Sequence, residues 1–380
     1  MNVLNKNNNY IYRHINNNFH FTNSLCFFLA FIVISSIYFF LFVSGKGFIY
    51  EPIQGFFFPV NIHDHYVYVK YIEKIRSADS LLELLHFNNN TGIALIYLSV
   101  INALAFVGAK FPIEDIALFI NIGVFFLAFL SYKNIIKQLK LPYYYLYLFF
   151  INISFVYFAQ LINKDSLTIL VFLKIVEYSL LGSKKRFYLL LLLSVFVRIQ
   201  LPVFIFIYWF LLRKNTGYFK RFIIVYIGFA LASGYLAKYQ LLLMSEETLA
   251  SGFSYLVFKL NTQYYIGSLL LNPIRAMQYF YDLLLSFSFY NDGQFDVSRI
   301  KNIPQAIVFI ALLPTVSITF FYYEKNMRTP ARHLMAAVIA FFLVWLLNPM
   351  VNVRYVLLIL PIIILLGFYQ LKFNTRKPVQ

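Results

Sequence analysis

The sequence predicts an all-α integral membrane protein that crosses the bilayer many times. Its 380 residues are 61% hydrophobic and only 12% charged, and the mean hydropathy is +0.70. A helix needs roughly 20 apolar residues to cross the hydrocarbon core, and the apolar runs of the chain predict about 10–11 transmembrane helices. These runs are apolar on all sides, whereas the strands of a membrane barrel alternate with a period of two. We therefore expect a polytopic helical bundle with large outer loops.

Six basic clusters orient the predicted helices. Cytoplasmic loops of membrane proteins collect Lys and Arg, which accounts for the net charge of +17 without a nucleic-acid partner. With all six clusters inside, segments 45–90 and 245–302 form the large outer loops, and both termini lie in the cytoplasm. The clusters are Lys6 with Arg13; Lys133, Lys137 and Lys140; Lys184 to Arg186; Arg213, Lys214, Lys220 and Arg221; Lys325, Arg328 and Arg332; and Lys372, Arg376 and Lys377.

The predicted transmembrane helices form a single domain, residues 23–371. The Asn-rich residues 1–22 predict a disordered polar tail in the cytoplasm, and residues 372–380 predict a basic cytoplasmic tail. The first crossing is predicted at Ser24 to Val43. Cys26 is the only cysteine, which excludes an intrachain disulfide.

The first outer loop is predicted to contain a short amphipathic helix with an acid at its start. Apolar residues recur near helical spacing, at Tyr66, Val69, Ile72 and Ile75. This pattern is typical of a helix that lies in the membrane interface. Asp64 precedes it, in a chain with 15 Asp and Glu against 32 Lys and Arg. Two interpretations stay open: Asp64 caps the helix, or it is a general base or metal ligand at the membrane surface.

Two apolar stretches do not fit simple crossings. Phe187 to Leu212 is basic at both ends and is interrupted by Arg198 and Pro202. It predicts a hairpin of two short helices with its turn on the outer side, because proline breaks the hydrogen-bond ladder. Gly92 to Ile162 contains three apolar runs between two outer points. We expect its first run, Gly92 to Val107, to dip into the membrane from outside or to lie along the surface.

Asp165 and Arg198 are further candidate functional residues. Asp165 begins a predicted helix at the outer surface, where it is either a general base or metal ligand, or an N-cap with Lys164 as its local partner. An arginine inside the membrane costs several kcal/mol unless it faces a polar cavity or a partner. The planar guanidinium of Arg198 suits a phosphate or diphosphate. The alternative is a structural pair with Glu177 or another acid.

Other polar residues give weaker signals. Arg354 begins the last predicted helix, where it would either meet an anionic head group or extend to the interface. His63 and His65 flank Asp64 and supply ligand types for a divalent metal, but side chains of an extended segment do not all point one way, so the metal is left unassigned. Lys174 and Glu177 share a helix at a spacing that favours an ion pair. The chain has no motif for nucleotide hydrolysis, zinc proteolysis or serine hydrolysis.

The layout of these residues resembles a known enzyme class. Its parts are an outer acid before Tyr66-Val67-Tyr68, a second acid in Asn163-Lys164-Asp165-Ser166, a basic turn, Val197-Arg198-Ile199-Gln200, and a late Val353-Arg354-Tyr355 before Pro361. The chain resembles the GT-C-type glycosyltransferases, which use polyprenyl-linked sugars. Within them it is most similar to bacterial surface-polysaccharide polymerases of the Wzy and EpsG-like type. It departs from them in the histidines beside Asp64 and in Lys164-Asp165, where EpsG-like polymerases often have Arg-Gln.

The resemblance implies an enzyme of the bacterial inner membrane that joins undecaprenyl-diphosphate-linked oligosaccharides into a surface polysaccharide, such as the O-antigen of lipopolysaccharide, at the periplasmic face. The implied catalytic residues are Asp64 and Asp165. The implied ligands of the lipid diphosphate are Arg198, Arg354 and Lys164. The implied sugar contacts are His63, His65, Tyr66 and Gln200. No resident cofactor is expected, and whether the site binds a divalent metal is left open. The implied partners are polyprenyl-linked oligosaccharide, the lipid bilayer and a chain-length regulator protein.

Two other functions fit the sequence. A transferase of the same class that uses a polyprenyl-phosphate monosaccharide would carry the same acids. A lipid-oligosaccharide flippase or another transporter is favoured by the charges predicted within the membrane at Arg198, Lys174 and Glu177. The absence of visible internal repeats argues against a transporter built from duplicated halves.

Overall fold

The computed structural model describes residues 2–44, 62–77, 90–213, 218–240, 252–288, 290–291, 294–295, 300, 302–321, 329–347 and 353–374. Within these ranges all elements are helical except one antiparallel pair of two-residue strands. The all-α prediction is therefore confirmed for the described part of the chain. The contacts group the chain into two compact units, Met1–Leu201 with Phe289–Ile307, and Pro202–Ser288 with Val308–Gln380, where the sequence predicted one domain.

The first unit contains the segments that carry most of the predicted site. In chain order its helices are α1, Asn2–Phe42; α2, Ile62–Arg76; α3, Thr91–Phe106; α4, Ile113–Gln138; a 3₁₀ helix, Tyr143–Ile151; α5, Ser154–Ala159; α6, Asp165–Leu180; and α7, Lys184–Val197. The strand pair, β1 at Tyr290–Asn291 and β2 at Gln294–Phe295, also belongs to this unit. Helices α4 and α6 pack along each other and form its centre.

The second unit is formed by the later helices. They are α8, Gln200–Leu212, which begins at the end of the first unit; α9, Tyr218–Gln240; α10, Gly252–Tyr264; α11, Gly267–Leu284; a 3₁₀ turn, Leu285–Phe287; α12, Ile303–Phe321, whose first residues belong to the first unit; α13, Thr329–Trp345; and α14, Val353–Asn374. Helices α9, α10 and α11 pack together, and α13 packs on α14. The predicted outer loop 245–302 is thus largely helical where it is described.

Several helices have the length and composition of membrane spans. The described residues contain four helices that are long and apolar enough to cross a bilayer, at Asn17–Phe42, Ile113–Gln138, Phe219–Ala237 and Arg354–Lys372. Shorter apolar helices occur at Thr91–Phe106, Gln200–Leu212, Ile303–Ser317 and Pro330–Trp345. These helices support a membrane protein, while the count of about 10–11 crossings stays a prediction.

The amino-terminal tail differs from the prediction. Helix α1 extends back to Asn2, where the sequence predicted a disordered tail over residues 1–22. Nucleation is the costly step of helix formation, and adding residues to an existing helix is much easier. The apolar half of α1 therefore supports a helical continuation through residues of modest propensity.

The irregular run between Gly92 and Ile162 is the last of its three apolar runs. Helix α3 is regular and spans 16 residues, whereas Tyr143 to Ile162 divides into the 3₁₀ helix, the six-residue α5 and a loop. The depth of α3 in the membrane stays a prediction.

The predicted break in the stretch Phe187 to Leu212 is confirmed. Helix α7 ends at Val197 and α8 begins at Gln200, and Pro202 lies in the first turn of α8, where proline is tolerated. The pairing of the two helices as a hairpin stays a prediction.

Candidate functional site

A buried loop between α5 and α6 is the centre of the candidate site. Gln160, Leu161, Ile162 and Asn163 are each 0% exposed. Leu161 has a φ of 55°, in the left-handed region that residues other than glycine rarely adopt. A buried loop has to satisfy its backbone polar groups within the protein. Side chains from three different elements do so here.

Asn121 of α4 holds the start of this loop. Its Nδ2 donates to the carbonyl of Leu161 at 2.8 Å and to that of Ala159 at 3.2 Å. Its Oδ1 accepts from the hydroxyl of Ser166 at 2.7 Å. The sequence interpretation missed Asn121, although an amide in the middle of a long apolar run is a detectable signal. It fixes the loop against the first turn of α6.

The side chain of Asn163 binds the first residues of α6 and the end of α5. Its Oδ1 accepts the backbone N–H groups of Asp165 at 3.0 Å and Ser166 at 3.2 Å, and its Nδ2 donates to the carbonyl of Phe158 at 2.7 Å. Helix α6 begins at Asp165 itself, with Lys164 at the N-cap position, so Asp165 is the first helical residue and not the residue that precedes the helix. The capping interpretation of Asp165 therefore does not hold.

Asp165 and Arg198 form a buried ion pair. Arg198 Nη2 donates to Asp165 Oδ1 at 3.0 Å, and the two side chains are 6% and 0% exposed. Arg198 reaches Asp165 from the end of helix α7. Its backbone is extended, with φ −164°, while its N–H still bonds the carbonyl of Ser194. Of the alternatives for Arg198, a structural pair with an acid is confirmed, and the acid is Asp165.

Asp165 is fully buried, and its carboxyl is enclosed with the guanidinium of Arg198. A general base must come within hydrogen-bond distance of the proton that it abstracts. In this structure the carboxylate instead binds Arg198 and links it to the first turn of α6. The catalytic role of Asp165 stays a prediction.

Glu177 is occupied by other donors. It accepts the hydroxyl of Ser131 at 2.6 Å, the amide of Asn134 at 2.7 Å and the ammonium of Lys174 at 2.8 Å. The predicted pair of Lys174 with Glu177 is thus confirmed. The bonds from Ser131 and Asn134 tie α4 to the last turns of α6, at the end of α6 remote from the buried loop.

Helix α2 packs against the buried loop through His65. The ring Nδ1 accepts the backbone N–H of Ile162 at 3.1 Å, and Nε2 lies 3.5 Å from Glu114 Oε1. Because Nδ1 is an acceptor, the ring proton of a neutral His65 lies on Nε2, facing the carboxylate. His65 is 1% exposed and both ring nitrogens face protein groups, while its predicted contact with sugar or metal stays a prediction. The side chain of His63 lies outside the described residues.

Asp64 stands in the first turn of α2 and is half-buried, so its predicted place at the start of a helix is confirmed. The helix has the predicted amphipathic character, with Tyr68 and Ile72 each 1% exposed and Lys70 and Glu73 exposed. Tyr68 follows Asp64 by four residues and therefore lies on the same helix face. The acid is thus on the side of α2 that meets the protein.

Lys164 connects this face of α2 to the loop. Its Nζ donates to Asn90 Oδ1 at 3.1 Å and lies 5.8 Å from the ring centroid of Tyr68. The sequence predicted a local pair of Lys164 with Asp165, whereas these distances join Lys164 to Asn90 and Tyr68. The ammonium is instead directed toward the face of α2 that carries Asp64 and Tyr68.

The remaining predicted residues occupy separate places. Tyr66 is half-buried on α2. Gln200, the first residue of α8, is half-buried and its Oε1 accepts no hydrogen bond from the described residues. Arg354 is half-buried at the start of α14, in the second unit. Their predicted contacts with sugar or diphosphate stay predictions.

The arrangement offers an accessible acid, a nearby ammonium and a rigid buried support, which are the elements of acid–base chemistry on an anionic substrate. The part of the chain that is described contains no cluster of three or more metal-ligating side chains. In comparisons with known proteins, no protein family, curated protein or solved structure matches this chain.

Proposed function

We propose that the chain is a membrane glycosyltransferase that polymerises undecaprenyl-diphosphate-linked oligosaccharide repeat units at the periplasmic face. One observation carries the proposal: α2 is held against the loop of residues 160–164 through His65. This contact brings the helix with Asp64 next to the loop with Lys164. The two segments that the sequence marks as functional therefore lie side by side, which supports a single site.

Asp64 is the proposed general base. It takes the proton of a sugar hydroxyl on the acceptor, whose oxygen forms the new glycosidic bond at the anomeric carbon of the donor. The bond from that carbon to the lipid diphosphate breaks, and its electron pair leaves with the diphosphate. Since diphosphate is a good leaving group, positioning and charge stabilisation supply most of the rate enhancement.

Lys164 is the proposed cation for the leaving diphosphate. Its ammonium lies 5.8 Å from the ring centroid of Tyr68, which shares a face of α2 with Asp64. Arg198 has a positioning role in this proposal, because its ion pair with Asp165 holds the residue next to Lys164. Arg354 remains a proposed second cation for the diphosphate.

The second unit, taken by itself, contains an apolar cavity that would suit a hydrocarbon chain. A cavity of about 520 Å³ lies among α9, α11, α12, α13 and α14, and its walls are almost entirely apolar. Phe280, Phe309 and Phe342 contribute much of the lining. An isoprenoid chain has no polar groups to satisfy, so such walls favour it through burial alone.

The alternatives are weighed by the same contacts. A single-sugar transferase with a polyprenyl-phosphate donor would use Asp64 and Lys164 in the same way, and it differs only in the substrate. Transport is less well supported, because Glu177 and Lys174 bond to each other and to neighbouring side chains. Charges that move a cargo must exchange partners with it.

Asp64→Asn tests the proposed reaction. Asn caps a helix about as well as Asp, so a capping role would tolerate the change, whereas a base would be lost. We expect polymerisation to fall by at least about a hundredfold. The measurement is the chain length of the surface polysaccharide on a gel, with the membrane level of each variant determined in parallel.

Asp115→Asn is the matched control. Asp115 is also a half-buried acid in the first turn of a helix, α4, next to Glu114 that contacts His65. This variant should keep the polymer ladder of the wild type. Wild-type chain lengths in Asp64→Asn would show that Asp64 only caps α2 and would remove the basis of the proposal. Transfer of single sugars by the wild type, without chains, would favour the monosaccharide transferase.

A further inference from the structure

A second feature of the first unit lies away from the Asp165–Arg198 pair. An open groove of about 570 Å³ is bounded by α3, α6 and α7. Its lining is mainly apolar, with Leu95, Leu170, Leu193 and Phe196 among its residues. Along α6 the lining extends from Leu167 to Tyr178, about 17 Å at 1.5 Å per residue.

The wall formed by α7 faces outward. Leu193 and Phe196 line the groove and are 52% and 49% exposed, and their neighbour Leu192 is 66% exposed. Exposed apolar side chains of this density are favourable only against lipid or another apolar surface. In a membrane protein the groove therefore opens toward hydrocarbon.

Cations gather at one end of the groove. Tyr178 lines that end, and its ring has Lys174 Nζ at 5.4 Å and the guanidinium carbon of Arg186 at 5.9 Å from its centroid. Lys184 and Lys185 are exposed in the same turn as Arg186. None of the described lining residues is acidic. Glu177, one helical turn from Lys174, accepts bonds from Ser131 and Asn134 as well.

Lys174 can serve a second anion. An ammonium has three N–H donors, and the bond to Glu177 Oε2 engages one of them. Its side chain is 21% exposed and lines the groove. A phosphate placed beside Tyr178 would thus meet Lys174 and Arg186 together.

We propose that this groove binds an anionic phospholipid of the adjacent leaflet, with one acyl chain along α6 and the phosphate between Lys174 and Arg186. Apolar walls and a cationic rim match the two parts of such a lipid. The predicted orientation puts this rim on the cytoplasmic side, because Lys184 to Arg186 form one of the basic clusters.

The proposed lipid is distinct from the substrate of the proposed function. Tyr178 follows Asp165 by 13 residues along α6, which is about 20 Å along the helix axis. The phosphate site therefore lies near the end of α6 opposite to the ion pair. A phospholipid bound there would stabilise the packing of α3 and α7 on α6 without entering the reaction.

The experiment measures retained lipid on the purified full-length protein. The protein is reconstituted in nanodiscs of phosphatidylglycerol and phosphatidylcholine, released into mild detergent, and analysed by native mass spectrometry. We expect phosphatidylglycerol to be retained over phosphatidylcholine. Lys174→Gln and Arg186→Gln should each reduce retention about fivefold, since one cation near a membrane surface contributes that much.

Two matched variants test the groove itself. Ser99→Trp fills the groove from α3 and leaves every charge in place, so it should abolish retention. Lys137→Gln removes an exposed cation of α4 that is not in the groove and should retain phosphatidylglycerol as the wild type does. Thermal unfolding of each variant in detergent separates loss of lipid from loss of fold.

Three results would overturn the proposal. One is equal retention of phosphatidylglycerol by the wild type and the Lys174→Gln/Arg186→Gln double variant. Another is undiminished binding in Ser99→Trp together with displacement by inorganic phosphate, which would indicate a surface phosphate site. The third is selective retention of undecaprenyl phosphate when it is added to the nanodiscs, which would assign the groove to the substrate lipid.

Discussion

At the scale of single residues, the ion pair of Asp165 and Arg198 determines how the site is interpreted. Either charge alone would be costly in these surroundings, and each is accommodated because the other lies 3.0 Å away. The pair connects the start of α6 to the residue that follows α7. Its partners are 33 residues apart, so it constrains the tertiary fold and not the local helix.

Removal of one partner should destabilise the protein more than removal of both. We expect Asp165→Leu and Arg198→Leu to lower the free energy of unfolding by about 3–5 kcal/mol each, because each leaves a buried charge without its counterion. The double variant should recover most of that loss. Thermal unfolding in detergent, followed by size-exclusion chromatography, gives the comparison.

Single variants as stable as the wild type would contradict this assignment. In that case Arg198 would not depend on Asp165, and its direct binding to diphosphate would again be the preferred interpretation. A stable double variant without polymer would show that the pair has a role beyond stability. Polymer from the stable double variant would limit both residues to structure.

At the scale of elements, the close approach of α3 to α7 holds one end of the groove. An added Cβ on Gly92 would overlap the backbone oxygen of Phe196. Real Cβ atoms do not come that close to a carbonyl oxygen, and backbone cannot move aside as a long side chain can. Glycine at this position is therefore required by the contact between two helices.

Gly92→Ala and Gly123→Ala form a matched pair that tests this contact. Gly92→Ala should destabilise by about 1–3 kcal/mol, as overpacking does. Gly123 lies within α4 with nothing within 4 Å of an added Cβ. Gly123→Ala should therefore stabilise by about 0.5–1 kcal/mol through helix propensity. Melting temperatures in detergent that move in the same direction for both variants would contradict the close approach.

At the scale of the whole molecule, the basic clusters and the apolar helices together predict an orientation in the membrane. Four described helices can span a bilayer, and α4 is one of them. Glu114 in its first turn contacts His65 of α2, and Lys137 of a basic cluster lies in its last turn. One helix thus connects the proposed outer site to the proposed inner side.

Labelling of single cysteines tests that orientation. In a Cys26→Ser background, Ser77→Cys at the end of α2 should react with an impermeant thiol reagent in intact cells, and Lys185→Cys should be protected until the membrane is opened. Both positions are exposed, so accessibility depends on the side of the membrane. Labelling of Lys185→Cys with protection of Ser77→Cys would reverse the orientation.

The sequence by itself determined the features that depend on local pattern. Hydropathy and helical period predicted the apolar helices, the amphipathic α2 with Asp64 at its start, the break at Arg198, and the pair of Lys174 with Glu177. Each of these depends on residues within a few turns of one another. The same local signals failed for α1, where a strong apolar helix continues into the Asn-rich segment.

Tertiary structure alone decided which distant groups meet. His65 bonds Ile162 across 97 residues, and Asn121 holds Leu161 across 40. They give His65 a contact with the buried loop, and the same packing makes Asp165 the partner of Arg198; no local pattern in the sequence pointed to either partner. Polar side chains among apolar helices bond to whatever polar group the packing brings near, because each one left alone costs free energy. That choice depends on helix positions, and these are not encoded in any single segment of the chain.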